Sequence, residues 1–375
     1  MRIGLLTDCY RPGVNGIVHF LALHQRVLRE WGHEPFVFTW GPPHPDDEPG
    51  VVRSWGAPFP RPGYHLGGRY SRRAEALLAT MDVLHAQQPA MSGVLAARYG
   101  RRYGIPVVLT CHSRYDMLWA TALPLLSERQ AVALLRRPMR WITERCDLIV
   151  APSESAAAVV RRLGVTQPIE IVPCGVDLAG ASSTSAPAPG DLGWLRDGPL
   201  AFYLGRLSAE KDVSLLLEAL AQPALAGAHL LVGGDGSERV RLEERATVLG
   251  LIDRAHFVGE VSQEQALAYA RLAALFVTAS QIEMLPISVL QALGAGLPVV
   301  AIDTPWARNV IEPGVNGLLT APDAAAFAEA WACLVRDGVL RARLSTGALE
   351  FSRQYDVQHT TALLLERYRR LTQRR

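Results

Sequence analysis

The stretch that decides the fold is Leu200-Ala-Phe-Tyr-Leu204-Gly205-Arg206-Leu207-Ser208-Ala209-Glu210-Lys211-Asp212-Val213-Ser-Leu-Leu-Leu-Glu-Ala-Leu220. Its opening apolar run is too continuous for a strand with one wet face. The run from Val213 has helical periodicity, and a polar loop joins the two. Strand, loop and helix in this order are the first half of a βαβ unit, whose next strand must lie parallel to the first. The same plan recurs downstream, with strands predicted at residues 229–232, 256–258, 275–278, 298–302 and 317–319 and helices between them. It also recurs upstream, at residues 3–7, 35–38, 83–86, 107–110, 148–151 and 169–172. A helix carrying Ile17, Phe20, Leu21, Leu28 and Trp31 follows the first of these strands and stops at Gly32. The chain therefore reads as α/β, two doubly wound Rossmann-like parallel sheets that face a central cleft and bind ligands at the carboxyl ends of their strands.

Length supports two lobes, since 375 residues exceed one ordinary core. The small-residue tract after residue 178 interrupts the pattern and reads as a linker. The expected division is a first domain over 1–178, a linker over 179–195, a second domain over 196–355, and a C-terminal helix over 356–375 that packs back on the first domain. With 49% hydrophobic and 20% charged residues, the composition excludes a disordered or linker protein. The five cysteines are scattered and form no C-x-x-C pair, so neither a disulfide framework nor a zinc site is expected, and no metal. The N-terminus lacks the apolar core of a signal peptide, and no apolar run is long enough to span a bilayer, so a cytoplasmic setting is expected. Net charge is +2 and no basic aromatic motif occurs, which argues against nucleic acid. The charge is shared unevenly: residues 1–178 hold 20 basic and 15 acidic residues.

Only one lysine, Lys211, stands among 37 arginines. A guanidinium at 206 and an ammonium at 211 on one strand-to-helix loop suit a diphosphate leaving group; a solvated loop with Glu210 paired to Lys211 is the alternative. In Ser280-Gln-Ile-Glu283-Met284-Leu285-Pro286-Ile-Ser-Val-Leu-Gln291, Ser280 and Glu283 have the spacing of a capping box. Pro286 argues instead for a helix that starts at the proline, leaving Glu283 in the loop at the strand's carboxyl end and Gln291 in the second turn. In the first lobe, Asp8-Cys-Tyr-Arg-Pro12-Gly13-Val-Asn15-Gly16 separates strand from helix, and glycines there permit close approach to a phosphate. His112 lies just beyond a buried strand; a lone histidine is most often structural, but the carboxyl end of a strand is where a site would be.

Taken together, these motifs resemble the retaining glycosyltransferases of family 4. The carriers are Asp8-x-Tyr-x-Pro-x-Val-Asn-Gly16, Thr110-x-His-Ser113, Ala151-Pro-Ser153, Pro173-Cys-Gly-Val-Asp177, Gly205-Arg-Leu-Ser-x-Glu-Lys211, Gly233-Gly-Asp-Gly236, Phe257-Val-Gly259 and the run from Glu283 to Val300. The resemblance implies the GT-B fold and transfer of a hexose from a nucleotide-diphosphate sugar, UDP-hexose or GDP-mannose, to a hydroxyl. No cofactor or metal is required, and the donor is a co-substrate. His112 and Glu283 are the implied catalytic residues, and Asn15, Gly16, Arg206, Lys211, Met284, Leu285 and Gln291 the implied donor-binding ones. Two departures stand out: Gln291 occupies the place of a second glutamate that family members use on the nucleotide ribose, and Pro286 that of a common glycine.

The opening motif and the residues after His112 are similar to those of members that glycosylate diacylglycerol or related membrane lipids. A lipid acceptor and peripheral contact with an anionic membrane, at its inner face, are therefore expected. Arg136, Arg137, Arg140 and Arg145 among apolar residues, with Arg69, Arg72 and Arg73, fit such a surface. A nucleotide-sugar epimerase on a similar fold and a non-catalytic sugar-nucleotide binder are the alternatives.

Overall fold

The computed structural model describes residues 1–13, 15–59, 63–115, 127–178 and 198–374. The expected linker at 179–195 lies outside the described residues, as does Val14 of the opening motif. Two compact units emerge: Met1–Gly175 together with Val357–Arg375, and Val176–Asp356.

In the first unit, β1 (Arg2–Leu6), β2 (Glu34–Trp40), β3 (Val51–Ser54), β6 (Val83–Ala86), β7 (Val107–Thr110), β8 (Leu148–Ala151) and β9 (Ile169–Ile171) form one sheet in the order β3-β2-β1-β6-β7-β8-β9. Every neighbouring pair is parallel. A short antiparallel hairpin, β4 (Ala57–Pro58) and β5 (His65–Leu66), stands apart. Neither β3 nor this hairpin was foreseen: Val51-Val-Arg-Ser54 has only two apolar residues and follows a tract rich in proline and aspartate. The second sheet, β12-β11-β10-β13-β14-β15, is parallel throughout, from β10 (Leu200–Leu204), β11 (His229–Gly233), β12 (Ala255–Gly259), β13 (Leu275–Thr278), β14 (Val299–Ile302) and β15 (Gly317–Thr320).

Alternation along these strands fills both faces. Ala201, Tyr203, Leu230, Val232, Leu275 and Val277 belong to one core of the second unit, and Phe202, Leu231, Phe276 and Val299 to the other. Burying one such side chain is worth about 1.5–3 kcal/mol, so helices must cover each face. In the first unit, the Gly16–Glu30 helix is capped by Asn15, whose Oδ1 accepts from the backbone N–H groups of Ile17 (3.0 Å) and Val18 (3.1 Å). That helix ends at Trp31, and the left-handed Gly32 follows (φ +76°).

The Val357–Gln373 helix packs on the Gly16–Glu30 helix through Leu23, Val27 and Val357. Its Tyr368 hydroxyl lies between two buried histidines, 2.6 Å from His85 Nδ1 and 3.3 Å from His24 Nε2. His85 Nε2 meets Thr110 Oγ1 at 2.6 Å. Burial holds both rings neutral: His24 is pushed down to about 3, and His85 well below the usual imidazole range.

Candidate functional site

Both sheets change direction next to their first strand, and loops at the carboxyl ends there open a ligand site. In the second unit the reversal falls between β10 and β13, whose following loops are 205–212 and 279–286. The two loops are tied together. Lys211 Nζ donates to Glu283 Oε1, Gln281 N donates to the Glu210 carbonyl (3.2 Å), and Gln281 Nε2 to Asp212 Oδ2 (3.3 Å). Lys211 and Glu283 side chains are 16% and 17% exposed, so the pair is reachable yet mostly shielded. Asp212 is left-handed (φ 47°), the one such non-glycine among the described residues, and this turn starts the Val213–Leu220 helix beside Lys211.

The alternative pairing of Glu210 with Lys211 does not form as a hydrogen-bonded contact: Glu210 Oε1 instead accepts from Ser208 Oγ at 2.7 Å. The capping-box reading of Glu283 also falls, because the helix begins at Ile287. Ser280 Oγ instead donates to Glu283 Oε1 at 2.9 Å, and Trp306 Nε1 fixes the Ser280 carbonyl at 2.9 Å. Pro286 is the residue before the first helical position rather than that position itself, with extended backbone (φ −78°, ψ 103°). Met284 is buried and Leu285 half-buried in the loop that Pro286 closes. Arg206 is exposed and forms no ion pair among the described residues. Gln291, in the second turn as expected, lines a small cavity with Phe202, Leu204 and Ser288.

Gly233-Gly-Asp-Gly236, one of the motifs that carry the family resemblance, buttresses the Arg206 loop. Leu207 N donates to the Asp235 carbonyl (2.9 Å) and Gly205 N to the Gly233 carbonyl (3.0 Å). A side chain at Gly234 (φ +124°) would strike the Gly205 carbonyl, and one at Gly236 the Leu207 carbonyl.

In the first unit the reversal falls between β1 and β6. Asp8, after β1, accepts from Ser92 N (2.9 Å) and Ser92 Oγ (2.6 Å) at the start of the Met91–Tyr103 helix. Burial raises its carboxyl to about 6 despite those bonds. Asn15 is spent on its cap, and Gly16 is the first residue of the helix, exposed. Tyr10 and Arg11 both bind Glu48, at 2.7 and 2.6 Å. His112 is partly buried; its Nε2 lies 2.9 Å from Gln87 Oε1, its Nδ1 3.4 Å from Cys174 Sγ, and its ring 5.2 Å from that of Phe20. Burial lowers its imidazole to about 3.

The expected donor residues Arg206, Lys211, Met284 and Leu285 thus lie on two interlocked loops, while Asn15, Gly16 and His112 belong to the other unit. Sequence reasoning paired Ser280 with Glu283 only as a helix cap, and it missed Gln87, Cys174 and Trp306 as partners of these groups. Gln87 directly follows β6, and Cys174 lies in the loop after β9, so the carboxyl-end rule could have found them; Trp306 carries no such signal. All five cysteines are free, and among the described residues no three His, Cys, Asp or Glu side chains cluster as a metal site.

A Glycosyltransferase Family 4 model matches residues 14–179, and a model of glycosyl transferases group 1 matches residues 188–351. The phosphatidyl-myo-inositol mannosyltransferase of Mycobacterium leprae is 31% identical, over 95% of this chain and 93% of its own length. The alpha-monoglucosyldiacylglycerol synthase of Streptococcus pneumoniae is 28% identical over 85% of this chain and 75% of its own. Among solved structures, Anabaena HepE in complex with UDP superposes with a TM-score of 0.77, at 20% identity, covering 99% of this chain and 100% of HepE, a likeness of fold. Two parallel Rossmann-like units with these motifs, and a relative of this identity along nearly the whole chain, place the protein in glycosyltransferase family 4, and it is a glycosyltransferase of the GT-B fold.

Proposed function

We propose that the chain moves a hexose from a nucleotide-diphosphate sugar, UDP-hexose or GDP-mannose, to a hydroxyl of a membrane lipid such as diacylglycerol or a glycolipid, with retention of configuration. The observation that carries the donor side is the Lys211–Glu283 pair at the reversal of the second sheet, on the same loop as the exposed Arg206, which forms no ion pair among the described residues. An ammonium has three N–H donors, so Lys211 can keep Glu283 and still donate to a phosphate oxygen. Arg206 supplies a two-pronged contact to the same diphosphate. As the sugar C1–O bond breaks, the electron pair goes to the diphosphate, where these cations offset the growing charge. The acceptor oxygen bonds to C1 on the face the diphosphate leaves, and its proton passes to the departing phosphate oxygen. Glu283 and the backbone of Met284 and Leu285 address the hexose hydroxyls. Gly16 would approach the diphosphate, Asn15 would hold the helix start that presents it, and Gln291 would contact the ribose through an uncharged amide.

The lipid acceptor is supported by two relatives whose names specify lipids, and by the first unit's surface. Trp55 (84% exposed), Phe59 and Leu66 project around the β4–β5 hairpin, near in sequence to the exposed Arg69, Arg72 and Arg73. The Glu128–Thr143 helix sets Leu134 and Trp141 among Arg136, Arg137 and Arg140 on its exposed side, while Leu135, Met139 and Ile142 are buried. Aromatic and basic side chains together suit an anionic interface. No helix among the described residues is long and apolar enough to cross a membrane.

Purified protein incubated with UDP-glucose, UDP-galactose or GDP-mannose, and with vesicles containing diacylglycerol or phosphatidylinositol, tests the reading. A glycolipid retaining the donor's anomeric configuration is the expected product. Donor epimerised without acceptor, or donor bound with no transfer to any acceptor, would refute it.

A further inference from the structure

Three residues that follow parallel strands of the first sheet meet at its carboxyl edge: Gln87 after β6, His112 after β7 and Cys174 after β9. Their hydrogen bonds fix where every proton sits. Gln87 Nε2 donates to the His85 carbonyl at 3.2 Å; a carbonyl has nothing to donate, so this end of the amide is its NH2. The other end, Oε1, therefore faces His112 Nε2 at 2.9 Å. An amide oxygen only accepts, which puts the imidazole proton on Nε2. A neutral ring has one N–H, so Nδ1 is bare, and it lies 3.4 Å from Cys174 Sγ. Burial pushes the Cys174 thiol up to about 12, so the sulfur approaches as S–H and donates. Phe20, from the Gly16–Glu30 helix, lies tilted against the ring.

We propose that Gln87 and Cys174 are positioning residues that lock His112 as the neutral tautomer protonated on Nε2, with both ring nitrogens occupied inside the fold. His112 then presents a fixed ring to the substrate and neither takes nor gives a proton during transfer. The inference rests on the proposed transfer reaction and on the catalytic role that the family resemblance implies for His112, and says how that residue works there. It also leaves the acceptor's proton to the departing phosphate, because the ring nitrogen that could take it already holds the thiol hydrogen. The titratable groups around the ring are Cys174 and His85, with His24 beyond Phe20, and burial holds each of them uncharged.

The first test reads the wild-type ring directly. Nitrogen-15 NMR of the full chain labelled at histidine, with the His112 signals identified by their absence in His112→Gln, should show a pyrrole-type Nε2 and a pyridine-type Nδ1, unchanged between pH 8 and pH 5. A proton on Nδ1, averaging between tautomers, or protonation within that range would overturn the proposal. Gln87→Leu should then mix the tautomers and lower kcat about fivefold with donor KM held within about twofold. Cys174→Ala should have a smaller effect that Cys174→Ser reverses. In a His112→Ala background Gln87→Leu should cost nothing further, whereas the same loss there would mean that Gln87 acts by another route and would overturn the positioning role. Full turnover by His112→Ala alone would remove His112 from the reaction, and the wild-type spectrum would separately report whether the tautomer is locked.

Discussion

The two reversal points share one architecture and differ in how burial treats charge. At the second sheet the chain keeps charge: Lys211 pairs with Glu283, and the exposed Arg206 forms no ion pair among the described residues while its charge helps hold Glu210 ionised. At the first sheet burial works against charge: it raises Asp8 to about 6 and Cys174 to about 12, and lowers His112 to about 3, while Arg11 keeps its charge paired to Glu48. A diphosphate needs full charges opposite it as its bond to the sugar breaks, while hydroxyls need only fixed dipoles. On the proposed reading, the second unit's loops are the ones suited to the diphosphate.

Removing the ammonium breaks the comparison most severely. Lys211→Ala should lower kcat/KM about a hundredfold, roughly 3 kcal/mol, with Lys211→Arg recovering only part because a planar fork cannot replace a point charge. Steady-state kinetics with the preferred donor measures this, and a loss under threefold would put the charge contrast in the wrong place. The suppressed charge gives the next effect. An Asp8 carboxyl titrating near 6 when folded, against an ordinary value of 3.8, holds an extra proton in the native state between those values. Its burial therefore costs stability as pH rises through about 6, and that cost vanishes below about 4. Asp8→Asn should be more stable than the parent at pH 8, on the order of 2 kcal/mol, and should lose most of that advantage by pH 4.5 in urea unfolding. His24 works in the other direction. Its folded value of about 3 lies below the unfolded 6.5, so its contribution is complete above about 6.5 and declines as pH falls toward 3.

A finer probe is Arg206→Ala, which should raise donor KM about tenfold with a smaller change in kcat, since an exposed guanidinium contributes more to ground-state binding than the shielded lysine does. Asn15→Ala gives the smallest effect. It should cost about 1 kcal/mol of stability through the lost cap, whereas Asn15→Ser should cost little. Should Asn15→Ser impair donor binding while leaving the melting temperature alone, Asn15 contacts the donor directly and the first unit is less neutral than it looks.

Much of the fold was legible because parallel strands buried on both faces leave unbroken apolar runs; β6, β7, β8, β10 and β13 fall at the residues their hydrophobicity marks. The strand β3 was not legible, since it lies at the sheet's edge and is only partly buried. At the site, Lys211 and Glu283 stood out through composition and loop position, yet their direct pairing across two loops is a long-range contact that local spacing cannot reveal. The same holds for Cys174: 62 residues separate it from His112, and only the stacking of parallel strands brings them together. Pro286 was placed one position too far into its helix, because a proline suits the residue before a helix as well as its first turn.

The return of the C-terminal helix has a practical side. Residues 357–375 belong with the first 175, where Gly175 lies so close to Thr360 and Val357 that no side chain fits, and Tyr368 serves two histidines from the opposite end of the sequence. Anyone recombining halves of such proteins to trade sugar donors should exchange the central segment as a cassette, keeping both ends from a single parent. A simple cut in the gene near codon 176 would instead strand the final helix with foreign neighbours and leave His24 and His85 to find new hydrogen-bond partners.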